Sequence, residues 1–136
     1  MNPKALELQA RTQRFATTVI NFCEGLPKDL ATQKVVGQLL DSAGSTDSNY
    51  RAACRARSTD EFISKIGVAA EEADESKGWV ELLVQSGKTS VDVAGPLIKE
   101  ADELTAIFVA SRITAQKNKA ERDRLERHLR SRHRRP

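Results

Sequence analysis

Residues 58–85 read STDEFISKIGVAAEEADESKGWVELLVQ, and they are the clearest indication of the fold class. Its first four residues, Ser58 to Glu61, form a capping box, in which the serine hydroxyl accepts from one free backbone N–H and the glutamate reaches back to another. Apolar residues then recur at helical spacing until Ser86-Gly87, namely Phe62, Ile66, Ala69, Ala73, Val80 and Leu83, with Trp79 and Leu82 widening the stripe. The spacing predicts a helix of about 28 residues that begins near Thr59.

Two helices are predicted before this stretch. The first begins with Asn2 as its cap and Pro3 in its first position, and Leu26-Pro27 ends it. The second spans about 25 residues before Arg57. The apolar positions of these two helices are Leu8, Phe15, Val19, Phe22 and Leu26, then Leu30, Val35, Val36, Leu39, Leu40, Ala43, Tyr50 and Ala53.

The middle of the second helix, SAGS at residues 42–45, has almost no side-chain bulk. Such a run indicates either a break in the helix or the close approach of a neighbouring backbone. We favour close packing, because the apolar pattern resumes in phase after the run.

A fourth helix is predicted after the polar link at residues 88–90, with Pro96 in its first turn or at a kink. Its apolar positions are Leu97, Ala101, Leu104, Ile107, Phe108 and Ile113. Four long helices with short connections favour an antiparallel up-down-up-down bundle. The predicted fold class is therefore all-α, with a four-helix bundle in residues 1–116 and a basic, partly helical to disordered C-terminal arm in residues 117–136.

The composition, 39% hydrophobic and 30% charged, is that of a folded chain. No secretory signal opens it, and no apolar run reaches the roughly 18 residues that span a bilayer, so we expect a cytoplasmic protein without a membrane partner. Cys23 and Cys54 lie within helical patterns, which favours free thiols in a reducing compartment. A disulfide between them stays open, because two antiparallel helices can bring two cysteines together.

The residue types needed for familiar catalytic and metal sites are missing from the predicted bundle. The chain has only two histidines, His128 and His133, and both lie in the tail. Neither a di-metal carboxylate centre nor a Cys-His or Ser-His-Asp arrangement can therefore be built in the bundle. The carboxylates in residues 71–75 are interpreted as a solvated or subunit-facing stripe. Residues 87–90, GKTS, lack the preceding glycine and strand of a phosphate-binding loop. We therefore expect no enzyme activity, no cofactor, no metal and no small-molecule substrate.

Charge is divided unevenly along the chain. Residues 1–116 hold 13 Lys/Arg and 16 Asp/Glu, whereas residues 117–136 hold nine and three, a net charge of +6. The arginines of this tail are Arg122, Arg124, Arg127, Arg130, Arg132, Arg134 and Arg135. The spacing of Asp123 to Arg127 and of Glu126 to Arg130 favours helix to about Leu129, with a fraying end beyond it. The tail either keeps the protein soluble or binds phosphates, as in RNA.

A second group of cations, Arg51, Arg55, Arg57 and Lys65, lies near the predicted turn between the second and third helices. It represents either ordinary charge pairing with Asp60 or Glu61, or a basic patch. Neither group has interleaved aromatic residues for base stacking. Any nucleic-acid binding is therefore expected to involve the backbone or the shape of the nucleic acid.

Beyond these patterns, the chain resembles the four-helix-bundle proteins encoded in 23S ribosomal-RNA intervening sequences, over roughly residues 8–110. The family pattern runs Gln-Leu-x-x-Ser-x-x-Ser-x-x-x-Asn, then Ser before Glu-Phe-x-x-Lys, then Glu-Ala-x-Glu-(Ser/Thr)-x-x-Trp-Leu. The matching residues here are Gln38, Ser42, Ser45, Asn49, Ser58, Phe62, Lys65, Glu72, Glu75 and Trp79. Asp41 replaces the usual Arg and Ala53 the common Glu, so the salt bridge or basic contact that those two residues make elsewhere is not expected here.

The resemblance implies a bundle that assembles into a ring, typically a homopentamer, without catalysis. It also implies that the small-residue run serves close helix packing and that Asn49 is a buried, hydrogen-bonded amide. The chain is similar, too, to accessory proteins of diversity-generating retroelements, which bind a reverse transcriptase and its RNA. The arm lies beyond the shared region.

Three functional hypotheses follow. The first is a homo-oligomeric protein that associates with structured RNA, or with an enzyme acting on nucleic acid, through its basic surfaces. The second is a protein-interaction scaffold without direct nucleic-acid binding. The third, an enzyme or metal protein, is the least supported by the residues present.

Overall fold

The computed structural model describes residues 2–135. Four helices follow one another in this range: α1 (Pro3–Glu24), α2 (Leu30–Cys54), α3 (Thr59–Gln85) and α4 (Val91–His133). The prediction of an all-helical chain is confirmed, since residues 2–135 contain no strand. None of these helices is both long enough and apolar enough to cross a membrane.

Each helix begins at a polar cap, as the sequence predicts for α1 and α3. The Asn2 side chain accepts a hydrogen bond from the Ala5 backbone N–H at 2.8 Å. Ser58 Oγ accepts from the backbone N–H of Glu61 at 3.1 Å. The Glu61 carboxylate accepts from the Arg57 N–H at 3.2 Å, one residue before the position that the capping box predicts.

Neighbouring helices are antiparallel, because short turns join them. The largest contacts join α2 to α3 and α3 to α4, and α1 packs mainly on α2. Arg11 of α1 also reaches α4, where it donates to Glu100 at 2.9 Å and Glu103 at 2.8 Å. The core includes Phe15, Val19, Leu39, Ile66, Ala69, Ala73, Val80, Leu83, Leu97, Leu104 and Phe108.

Some predicted core positions are exposed. Leu30 is 76% exposed, because it occupies the first position of α2 at the end of the bundle. Leu40, Leu82 and Ile113 are also exposed. In one sequence, a residue at the edge of an apolar stripe looks like one at its centre, so periodicity does not distinguish them.

The small-residue run leaves α2 unbroken, as predicted. Ser42 and Ala43 are buried, and Ser42 Oγ lies 2.8 Å from Ser76 Oγ of α3. Gly44 faces outward, and apart from the adjacent backbone of α2 itself no atom lies within 4 Å of the position that a Cβ would occupy there. Close packing at this run therefore comes from Ser42 and Ala43, and Gly44 takes no part in it.

The fourth helix is much longer than the others. Its 43 residues span roughly 64 Å, whereas the 27 residues of α3 span roughly 40 Å. It passes Gln116 without interruption and ends at His133, four residues beyond the predicted end at Leu129. Pro96 lies in the second turn of α4, where its missing N–H removes one helical hydrogen bond.

Cys23 and Cys54 are both free thiols. Each lies in the last turn of its helix. Because α1 and α2 are antiparallel, these last turns are at opposite ends of the bundle. A disulfide between the two cysteines within one chain is therefore excluded.

Candidate nucleic-acid interface

An open groove of about 700 Å³ lies where the α2–α3 turn meets α4. Its lining combines apolar side chains with polar and charged ones. The apolar residues are Ala53, Ala56, Phe62 and Ala115; the polar and charged ones are Arg57, Ser58, Thr59, Asn118, Glu121 and Arg122. The groove therefore joins a residue of each predicted basic group, Arg57 and Arg122, which are far apart in the chain.

Two contacts hold α4 against the beginning of α3 beside this groove. Arg122 Nη2 donates a hydrogen bond to Thr59 Oγ1 at 2.8 Å. The Lys119 ammonium forms an ion pair with Asp60, which raises the lysine pKa. The sequence offers no signal for either contact, since the partners are about 60 residues apart. The beginning of the arm is consequently part of the folded bundle.

The cations of the second predicted group are not all in one place. Arg51 is half-buried and lies 3.7 Å from Asp47, so it is paired with a carboxylate other than the predicted Asp60 or Glu61. Arg55 and Arg57 are exposed, and Lys65 is half-buried. These last three form no ion pair within residues 2–135. The exposed cations of this group are therefore Arg55 and Arg57, at the turn itself.

Beyond Arg122 the helix continues with almost every side chain exposed. Arg124 pairs with Glu121 at 2.5 Å, whereas the predicted pairs of Asp123 with Arg127 and of Glu126 with Arg130 are not formed. Beyond Arg124, none of the five remaining arginines makes an ion pair within residues 2–135, namely Arg127, Arg130, Arg132, Arg134 and Arg135. The spacing of Arg127, Arg130 and Arg134 places these three on one side of the helix.

The residues of the family pattern lie mostly in helix contacts. Ser42 is bonded to Ser76, and Asn49 Nδ2 donates to the Ser45 carbonyl at 2.8 Å and to Ser45 Oγ at 2.9 Å. Asn49 is half-buried, so the implied hydrogen-bonded amide is present but less enclosed than expected. Gln38 is exposed.

The last part of the pattern lies on α3 and is acidic. Trp79 is half-buried, and its Nε1 donates to Glu75 Oε1 at 3.3 Å. Partial burial, together with the neighbouring Glu75 and Glu71, raises the pKa of Glu72. Within residues 2–135, no three His, Cys, Asp or Glu side chains are grouped as ligands for a metal ion.

Comparison with known proteins agrees with this architecture. Residues 4–110 match the family described as 23S rRNA-intervening sequence protein. A crystal structure of a protein of unknown function from the S23 ribosomal protein family of Bacteroides thetaiotaomicron is similar, with a TM-score of 0.72 and 25% identity. The similarity covers 80% of this chain and 97% of that one. No curated protein matches the chain. Because the family match spans most of the sequence and reaches into all four helices, the chain belongs to the 23S rRNA-intervening sequence protein family.

Proposed function

We propose that this chain is a non-enzymatic, cytoplasmic, homo-oligomeric protein, a pentamer by analogy with the family, that associates with RNA through its basic surfaces. The contact with RNA is made by the outer part of α4 and by the rim of the groove at the α2–α3 turn. The body of the bundle serves to position this surface.

One observation carries the proposal. A continuous helix projects from the bundle, and the five arginines in its last turns and in the two residues after it make no ion pair within residues 2–135. A solubilising tail needs charge but no fixed geometry, whereas this helix is held by Arg122 and Lys119 at its base. Arginines on a helix of fixed direction can contact several phosphates along a groove at once.

The electrostatic balance favours an anionic partner at this end of the molecule. The net charge of residues 117–136 is +6, and Arg55 and Arg57 add to it at the neighbouring turn. The remainder of the chain is slightly acidic and does not attract phosphates generally. An apolar floor that contains Phe62 allows an unpaired base to enter the groove, but phosphate contacts supply most of the expected affinity.

The proposal is tested by measuring the binding of a fluorescent RNA hairpin, by anisotropy, to a variant with Arg127, Arg130 and Arg134 changed to Gln. We expect weaker binding and a salt dependence whose log–log slope is smaller by about 2 to 3, as for the loss of three phosphate contacts. The matched control changes Lys28, Lys34 and Lys99 to Gln, since these exposed lysines lie on the body and give the same loss of charge.

If the two triple variants lose RNA affinity equally, only the net charge of the protein matters, and the proposed interface is wrong. If the unchanged protein does not bind the hairpin at low salt, RNA association is wrong. A partner protein that remains bound after nuclease treatment would then favour the scaffold function.

A further inference from the structure

A second groove lies on the outer surface of α3, near the opposite end of the bundle. It has a volume of about 530 Å³ and is centred on Gly78, with Trp79 and Leu82 as its apolar walls. Leu82 is 43% exposed. Apart from the adjacent backbone of α3 itself, no atom lies within 4 Å of the position that a Cβ would occupy at Gly78, so no other part of the described chain packs there.

Acidic residues surround this groove. Asp74, Glu75 and Glu81 line it, together with Gln85. The Glu75 carboxylate accepts from Trp79 Nε1, but none of the three forms an ion pair within residues 2–135. An apolar notch with unpaired carboxylates at its rim suits a partner that brings both apolar side chains and cations.

The arm carries a ridge with these properties. Leu125 and Leu129, one turn apart, are 52% and 55% exposed. They continue the core-facing seam of α4 in strict steps of four and three residues, through Leu97, Ala101, Leu104, Phe108, Ser111, Ala115, Asn118, Arg122, Leu125 and Leu129. The seam that packs on the bundle thus extends past its end, where no helix of the same chain covers it.

Charge on the ridge complements charge on the groove. Arg132 lies three residues after Leu129 on the same side of the helix, whereas Arg122, three residues before Leu125, is bonded to Thr59 of its own chain. The separation of the two leucines, roughly 6 Å, also matches that of Trp79 and Leu82, which are one turn apart on α3.

The arm of a chain cannot reach the groove of the same chain. Arg122 contacts Thr59 at the beginning of α3, and the arm projects away from that end. Trp79 lies 20 residues further along α3, roughly 30 Å in the other direction.

We propose that the Leu125–Leu129 ridge of one copy of this chain docks in the Trp79–Leu82 groove of a second copy. The contact is head-to-tail, so repetition gives a ring if the rotation closes and a filament if it does not. Arg127, Arg130 and Arg134 lie on roughly the opposite side of the arm and stay accessible. The inference rests on the oligomeric part of the proposed function, whereas RNA association does not enter it.

Disulfide trapping between two differently tagged copies tests the contact. One copy carries Leu129→Cys and the other Leu82→Cys, both with Cys54→Ser, whereas the buried Cys23 is kept. The control replaces Leu82→Cys by Leu30→Cys, at the same end of the bundle and more exposed. Mild oxidation is expected to give the mixed dimer with Leu82→Cys and little with Leu30→Cys. Equal trapping at the two positions, or none at Leu82→Cys, would overturn the contact.

Sedimentation velocity of the unchanged protein and of Leu82→Glu, Leu129→Glu and Leu30→Glu separates this inference from the proposed function. The first two variants are expected to need at least about tenfold more protein to assemble, because each places a carboxylate in an apolar contact. Leu30→Glu should assemble normally. An oligomer that all three variants leave intact would refute this contact but keep oligomerisation. If the unchanged protein is itself monomeric at every concentration, both this contact and the proposed oligomerisation are refuted.

Discussion

At the scale of single residues, Arg122 differs from the other arginines of the arm. One of its guanidinium nitrogens is committed to Thr59, and the residue lines the groove beside Arg57. The arginines further along the helix have no such anchor. Arg122 therefore ties the base of the arm to the beginning of α3.

Cys23 is the residue whose titration should be visible in stability. Burial raises its pKa from 9.0 to about 11. The unfolded chain loses this proton near pH 9 while the folded chain retains it, so the free energy of unfolding falls as the pH rises from 9 to 11. The fall is at most about 1.4 kcal/mol per pH unit for one proton.

We expect Cys23→Ala to be less stable at pH 7, because it leaves a small cavity, but to lose less stability between pH 9 and 11. Urea unfolding of both proteins at pH 7, 9 and 10 measures the difference. The pKa of Tyr50 is also raised, chiefly by burial, and it contributes to both curves alike. Parallel curves would show that the Cys23 thiol titrates normally in the folded chain.

At the scale of elements, the contact between α2 and α3 depends on small side chains. Ala43, Ala69 and Ala73 are almost completely buried, and Ser42 meets Ser76 across the interface. Side chains of this size allow the two helices to approach closely, so that the bundle packs with few aromatic residues. Larger side chains have no room there.

Adjacent positions in α2 should therefore respond in opposite ways. Ala43→Leu should lower the free energy of unfolding by about 1 to 3 kcal/mol, because it overpacks the interface. Gly44→Ala should raise it by up to about 1 kcal/mol, because the position faces open space within a helix. Urea denaturation followed by circular dichroism measures both. If both variants have a lower free energy of unfolding, another chain also packs against the Gly44 side of α2.

At the scale of the whole molecule, acidic and basic surfaces lie at opposite ends. The Trp79 groove is acidic, and the arm and the α2–α3 turn are basic. Such a separation favours head-to-tail contact between copies and leaves one arginine surface for each copy. Repeated surfaces bind a long polyanion more tightly than a single one, because later contacts are intramolecular.

Assembly and RNA binding should therefore be coupled. Leu82→Glu, which lies far from the arm, should weaken binding of a long structured RNA by at least about tenfold, since it breaks the assembly. Leu30→Glu introduces the same charge at the same end and should have little effect. Anisotropy titrations of both variants below and above the concentration at which the unchanged protein assembles provide the comparison. If Leu82→Glu binds the long RNA with unchanged affinity, a single copy of the chain is sufficient for RNA binding.

The four helices, their order and the caps at Asn2 and Ser58 can be predicted from the sequence alone, because they depend on periodicity and on side chains within a few residues of one another. Three features depend on the tertiary structure: Arg122 bonds to Thr59, Lys119 pairs with Asp60, and Leu30 is exposed. Contacts between residues 60 positions apart depend on how helices dock and on their relative lengths, and exposure depends on which neighbours end first. The local pattern of one helix specifies neither how the helices dock nor which of its residues stay exposed.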